Sequence, residues 1–247
     1  MDLREFESTA QRHPWEVARA RFFRTALADA GLPAGTRRVL DAGSGDAWFA
    51  RQLHGDLAAG ATVACWDVEY TDERLASLGA AQPAGVTLHR ERPAGPFDVV
   101  TLLDVLEHVD DDATFLAGIV ADVRVGGHVL VSVPAWQELY TSHDTFLHHH
   151  RRYRPAQGER LLRSAGLEIV RSGGLFHTLL APRALQKGKE LLVGAPPAVV
   201  PGIAWQGGRA VTAGVGAVLA LDNAVSRWAA GVGVGLPGLS WWALARK

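Results

Sequence analysis

Two stretches of this chain carry residue types that could do chemistry. The first, Val39-Leu40-Asp41-Ala42-Gly43-Ser44-Gly45-Asp46, sets an acid and two glycines where an apolar strand runs out. A helical apolar pattern then begins at Ala47, Phe49, Ala50 and Leu53. Glycine permits the dihedrals of a sharp turn and lets backbone approach a ligand closely. The unpaired N–H groups of the next helix open onto the crevice at the strand ends. Trp48 stands where a dinucleotide fingerprint needs a third glycine, and Asp41 would repel a pyrophosphate. A carboxylate there suits a ligand with an ammonium group. A glycine turn with no ligand is the plainer alternative.

The second stretch is His143-Asp144-Thr145-Phe146-Leu147-His148-His149-His150-Arg151-Arg152-Tyr153, which holds four of the ten histidines. Imidazole titrates near neutral pH, so one of them could take a proton from a hydroxyl, an amine or an acidic carbon. The arginines could hold an anion through charge-assisted hydrogen bonds. The same residues could equally brace a loop. His143, Asp144 and His149 are also metal-ligand types. Consecutive histidines on an extended segment alternate sides, however, and neither Cys-x-x-Cys nor a helical His-x-x-x-His accompanies them. No metal is expected on this reading, and chelators are expected to leave activity unchanged.

The elements that must position these stretches follow from periodicity. A helix is predicted from Pro14 to Ala30, with Trp15, Ala18, Phe22, Ala26 and Leu27 at helical spacing and Gly31 and Pro33 ending it. Strands are predicted at Arg37–Asp41, Ala61–Trp66, Val86–His89, Phe97–Leu103, His128–Val133, Leu167–Arg171 and Leu239–Ala245. Gly126-Gly127 reads as a turn before the fifth. Asp110-Asp111-Asp112 opens a helix with acids at its positive end, and Pro155 starts another. Strands alternating with helices imply an α/β, doubly wound, mostly parallel sheet of seven strands.

Residues 175–238 break the alternation and read as a helical insertion before the last strand. Leu191–Gly208 has no charge but is interrupted by Pro196-Pro197 and Pro201. Ala210–Leu221 is apolar yet well short of the ~20 residues that span a bilayer. Two helices forming a lid or a substrate pocket are expected. Lying on a membrane surface is the other choice, given Arg183, Lys187 and Lys189 near apolar neighbours. The chain of 247 residues thus divides into a cofactor-binding core, 1–174 plus 239–247, and the insertion.

The formal net charge of −1 argues against a nucleic-acid partner. One cysteine, Cys65, excludes an internal disulfide. Met1-Asp2-Leu3-Arg4-Glu5 shows no basic region leading into an apolar run, so cytoplasmic residence is expected.

The D-x-G-x-G loop resembles the cofactor loop of class I S-adenosylmethionine-dependent methyltransferases, whose ligand carries an ammonium and a sulfonium. Further runs are similar to that family. Cys65-Trp66-Asp67-Val68 places an acid where the ribose diol would lie; a helix cap is its alternative. Leu103-Asp104-Val105-Leu106-Glu107-His108-Val109 looks like the family's L-E-H-V segment beside the methionine end. Val125 to Pro134 resembles its glycine turn and fifth strand, and Leu239 to Ala245 its closing antiparallel strand. The histidine stretch is similar to an H-D…G-H-Y-R-R-Y run of one branch, with His148 in place of the glycine and His150 in place of the tyrosine. The resemblance implies a Rossmann-like fold with S-adenosylmethionine bound by Asp41, Gly43, Ser44, Gly45, Asp67, Val68, Leu103 and His108. On it, His143, Asp144, His149 and Tyr153 are the catalytic candidates.

Methyl transfer asks chiefly for alignment and water exclusion, because the sulfonium is already activated. Trp136, Tyr140, Arg152 and Phe176 are the expected substrate contacts. The aromatics point to a small, fairly apolar metabolite with an O-, N- or C-acceptor. Two other readings stay open: a non-methyl-transfer cyclisation or rearrangement in the same fold, and a module that docks a partner or membrane through 175–238.

Overall fold

The computed structural model describes residues 12–195, 205 and 207–247. The readings made on Met1–Glu5, Pro196-Pro197 and Pro201 lie outside the described residues. Helix α1 (Pro14–Asp29) opens on proline, with His13 Nδ1 accepting the Trp15 N–H. A single turn, α2 (Leu32–Gly35), leads into β1 (Arg38–Ala42). The alternation then runs α3 (Trp48–His54), β2 (Thr62–Trp66), α4 (Asp72–Gly79), β3 (Val86–His89), β4 (Phe97–Leu103), α5 (Asp112–Ala121) and β5 (Val123–Pro134). After β5 come α6 (Ser142–Phe146), α7 (Pro155–Ser164), β6 (Glu168–Leu175), α8 (Leu180–Val193), α9 (Arg209–Gly231) and β7 (Ser240–Arg246).

These strands form one seven-stranded sheet in the order β3-β2-β1-β4-β5-β7-β6. All pairings are parallel except those of β7, which runs antiparallel between β5 and β6. The order reverses between β1 and β4, so a crevice opens at the carboxyl ends of those two strands. Side-chain alternation divides the core into two layers. Val39, Val99, Leu130 and Trp242 pack on Phe22, Phe23, Ala50 and Leu219 on one face. Leu40, Val100, Val131 and Trp241 pack on Leu116, Ile119 and Leu162 on the other. Both faces of the sheet are therefore buried, as a parallel sheet requires.

Three local expectations need correction. Gly126-Gly127 is no turn before the fifth strand but lies inside β5. Gly126 takes φ +76° there and donates its N–H to the Lys247 carbonyl at 2.8 Å. The helix after the fourth strand starts at Asp112, with the Asp111 carboxylate capping the Thr114 N–H at 3.0 Å. The helix that carries the apolar run Ala210–Leu221 does not end with it but continues to Gly231, because Asp222, Asn223 and Ser226 are buried and bonded inward. Asp222 accepts the N–H groups of His177 at 3.0 Å and Thr178 at 2.8 Å, and Asn223 donates to the Ala18 carbonyl at 2.9 Å. α9 thus packs against α1 and β6 as part of a core layer rather than as a detached cap.

Replacing Asp222 by alanine leaves the N–H groups of His177 and Thr178 without their charged acceptor, a loss of about 1–3 kcal/mol. The urea midpoint of Asp222→Ala is expected to fall accordingly; an unchanged midpoint would contradict the placement of α9 in the core.

Candidate functional site

The crevice is built first by the elbow after β1. Gly43 has φ +66°, and a Cβ there would stand 2.6 Å from Val105 Cγ2, so only glycine fits. Its N–H donates to the Trp66 carbonyl at 2.7 Å, tying the elbow to the end of β2. Ser44 Oγ pairs with the Tyr70 hydroxyl at 2.8 Å. Asp67 follows β2 and accepts the Gly45 N–H at 2.8 Å on one oxygen and the Glu69 N–H at 2.9 Å on the other. Asp41, Gly43, Ser44, Gly45 and Asp67 thus come together as the sequence spacing implies. Val68, the next residue, is largely exposed, and Leu103 is buried at the end of β4.

Asp41 is only 3% exposed and accepts the Thr101 hydroxyl at 2.5 Å. Burial pushes its carboxyl up to about 6, against the pull of the Thr101 hydrogen bond, and neighbouring Asp67 pushes the same way. The segment leading into α1 closes over this elbow: Arg12 pairs with Asp46, and its guanidinium lies 4.4 Å above the Trp48 ring. Arg19 pairs with Asp104, which also accepts the Ser132 hydroxyl at 2.8 Å.

Across the crevice lies the histidine segment. Contrary to the extended reading, residues 142–146 form α6, because Thr141 and Asp144 make a capping box. Asp144 is fully buried and accepts the Thr141 N–H at 2.9 Å, the Arg152 Nε–H at 2.8 Å and His149 Nδ1–H at 2.9 Å. Burial opposes its charge, but the His149 and Arg152 bonds win and hold the carboxyl below its ordinary range. With Nδ1 donating to an ionised acid, Nε2 of His149 carries the lone pair. The His149 ring meets that of His108 edge-on, with centroids 4.7 Å apart. His143 sits on α6, its pKa lowered by burial and then by Arg183.

Several expected site residues are used elsewhere. The Tyr153 hydroxyl donates to the Leu106 carbonyl or to Asp112 at 2.6 Å, and burial raises its pKa, so it braces the core instead of reacting. The Arg152 guanidinium is buried, with Nε–H on Asp144 and one terminal nitrogen on the Ala135 carbonyl. Phe176 is 3% exposed and packs edge-on against Trp15 in the first core layer. Trp136 donates its indole N–H to the Gly238 carbonyl at 2.8 Å, and Tyr140 its hydroxyl to the His149 carbonyl at 2.6 Å. Of the cations read toward a membrane, Arg183 donates to Thr141 and Lys187 to the Tyr140 carbonyl, fastening α8 over this segment.

One residue went unremarked. Glu107, in the 3-10 turn Leu106–His108, is fully buried with neither carboxylate oxygen hydrogen-bonded. Burial pushes its pKa up to about 8, with its own backbone N–H and then Arg19 and Arg152 pulling the other way. Its carbonyl accepts the His150 N–H at 2.7 Å, which pins the turn to the histidine segment. An acid inside an otherwise apolar L-E-H-V run was the available signal.

Sheet order, elbow and acid after β2 define a crevice of the class I methyltransferase kind. Residues 11–172 match the methyltransferase-domain family. The chain belongs to that family, with S-adenosylmethionine as its cofactor. A probable S-adenosylmethionine-dependent methyltransferase from Mycolicibacterium smegmatis is 31% identical over 148 residues, 57% of this chain and 56% of that protein. This chain therefore matches little more than half the length of that relative. A ubiquinone biosynthesis O-methyltransferase from Ralstonia nicotianae is 29% identical over 173 residues, 61% of this chain and 71% of the other. A solved S-adenosylmethionine-dependent methyltransferase from Mesorhizobium loti shares the fold at a TM-score of 0.55. It is 17% identical, with 90% of this chain and 96% of that one covered.

His148, which stands at the glycine of the branch pattern, takes φ +58° and is exposed. A left-handed conformation costs a non-glycine residue about 1 kcal/mol. His148→Gly is expected to raise the melting temperature by about 2–4 °C; a lowered value would mean that the imidazole makes a stabilising contact.

Proposed function

We propose that this enzyme moves the methyl group of S-adenosylmethionine onto a small, fairly apolar molecule seated between the elbow and the histidine segment. The observation that carries the reading is the concentration of buried acids at this sheet edge: Asp41, Asp46, Asp67, Glu107 and Asp144 are each 9% exposed or less. Of these, Asp41, which among the described residues has one hydroxyl donor and no cationic partner of its own, is the acid that suits a ligand with an ammonium charge. Asp41, Gly43, Ser44 and Gly45 seat the amino-acid end of the cofactor, Asp67 and Val68 its ribose, and Leu103 and His108 line the same wall.

The acceptor lies opposite sulfur and beside the oriented Nε2 of His149, on which the loss of its proton depends as the methyl arrives. Asp144 acts through His149 by fixing its tautomer. Trp136 and Tyr140 flank this position. The O-methyltransferase name of the Ralstonia relative supports an oxygen acceptor. The single, buried Cys65 accords with the reducing cytoplasm as the place of reaction.

Two measurements test the roles. Asp41 must be ionised to face an ammonium, and its free-protein pKa is about 6. Affinity for S-adenosylhomocysteine is therefore expected to be flat above pH 6 and to fall by about tenfold per pH unit below it. A profile that stays flat to pH 5 removes Asp41 from the ammonium site. His149→Ala is expected to slow turnover by about 10²–10⁴ while product affinity holds; unchanged turnover removes His149 from the chemistry.

A further inference from the structure

We infer that Glu107, His108 and His149 form a binding site for a divalent first-row transition cation, of which zinc is the representative. The inference rests on the reading that the acceptor loses its proton beside His149, and deepens it. One ligand atom from each of the three residues lies within 4.8 Å of the other two. Sequence spacing hides this trio, because two members come from the 3-10 turn after β4 and the third from beyond α6. The neighbouring histidines 148 and 150 contribute nothing to it.

Two independent features point to a ligand. The Glu107 carboxylate is wholly buried, and both its oxygens are without hydrogen bonds. A buried acid left in that condition is costly, and a cation between it and the imidazoles would satisfy it. The second feature is the support behind His149. Its Nδ1–H is held by Asp144, which Arg152 anchors in turn, so Nε2 is left as the electron-pair donor of the ring. A carboxylate behind a histidine is the usual outer-sphere partner of a metal-ligating imidazole.

The donor set decides the class of ion. Two imidazoles and one carboxylate suit zinc and its first-row neighbours, whereas magnesium and calcium favour all-oxygen sets. Tetrahedral ligand atoms at zinc stand about 3.3 Å apart, given bonds of about 2.0 Å. The side chains must close somewhat from their present spacing, which rotation about the Glu107 side-chain bonds can supply. Three protein ligands leave a fourth position open to the crevice. An acceptor hydroxyl bound there would give up its proton to solvent at neutral pH and present its oxygen to the methyl group. The lone pair of His149 then holds the cation instead of taking the proton itself.

The test uses the full chain, stripped with a chelator and dialysed, then titrated with zinc by calorimetry and with cobalt by visible absorption. One zinc per chain is expected, together with the absorption bands of four-coordinate cobalt. Glu107→Gln and His149→Gln, each checked for fold by circular dichroism and for retained S-adenosylhomocysteine binding, are expected to weaken zinc by at least tenfold. His108→Gln serves as the third variant if either of these fails to fold. Absence of saturable binding to the wild type, or unchanged affinity in the folded variants, overturns the inference. A chain that binds S-adenosylhomocysteine but no zinc loses the metal site and keeps the methyl-transfer reading; one that binds zinc but no S-adenosylhomocysteine does the reverse.

Discussion

Burying carboxylates at one sheet edge is the constraint on which the rest of this structure depends. Each ionised acid taken out of water must be matched by donors or cations, or else it gives up its charge. Asp144 is matched in full by Arg152, His149 and the Thr141 N–H. Asp46 is matched by Arg12, and Asp67 by two backbone N–H groups. Asp41 has a single hydroxyl donor and Glu107 has none, and burial drives the pKa values of both upward. The protein's own donors therefore run short at two points along the crevice, and there each acid holds its proton more readily than a solvated carboxyl does.

The helices serve this edge in a way their apolar patterns alone do not announce. α1 is a core helix through Phe22, Phe23 and Leu27, yet Arg12 just ahead of it and Arg19 in its second turn reach across to Asp46 and Asp104. α8 lies over the histidine segment through Arg183, Lys187 and Glu190, the last accepting both the N–H and the hydroxyl of Ser142. α9 supports the whole by filling the layer beneath β6 and β7. No described helix is long and apolar enough to cross a membrane.

Much of the fold was legible because a parallel sheet writes itself as short apolar runs between glycines and prolines. β3 and β4 fall where periodicity puts them, and the reversal between β1 and β4 follows from connection rules. The elbow was legible too, since only glycine meets its geometry. What stayed hidden were the partners of polar side chains. Asp222, Asn223 and Ser226 look like the end of a helix but are its buried anchors. Arg152 and Tyr153 look reactive by type, yet their polar ends are satisfied in the core. Glu107 carries a charged type of side chain, and only folding shows it wholly buried near His108 and His149. Sequence periodicity reports which face is apolar; it does not report which hydrogen bond a buried group makes.

The central claim is that a doubly cationic ligand sits over the β1 elbow with its sulfur turned toward His149. A crystal structure of the chain with S-adenosylhomocysteine tests it most directly. The account predicts the ligand amine on the Asp41 side of the elbow, the ribose hydroxyls on the Asp67 carboxylate, and the sulfur facing the histidine segment. Ligand density elsewhere on the sheet edge, or a sulfur pointing away from His149 with Asp67 engaged only by the Gly45 and Glu69 N–H groups, would contradict it.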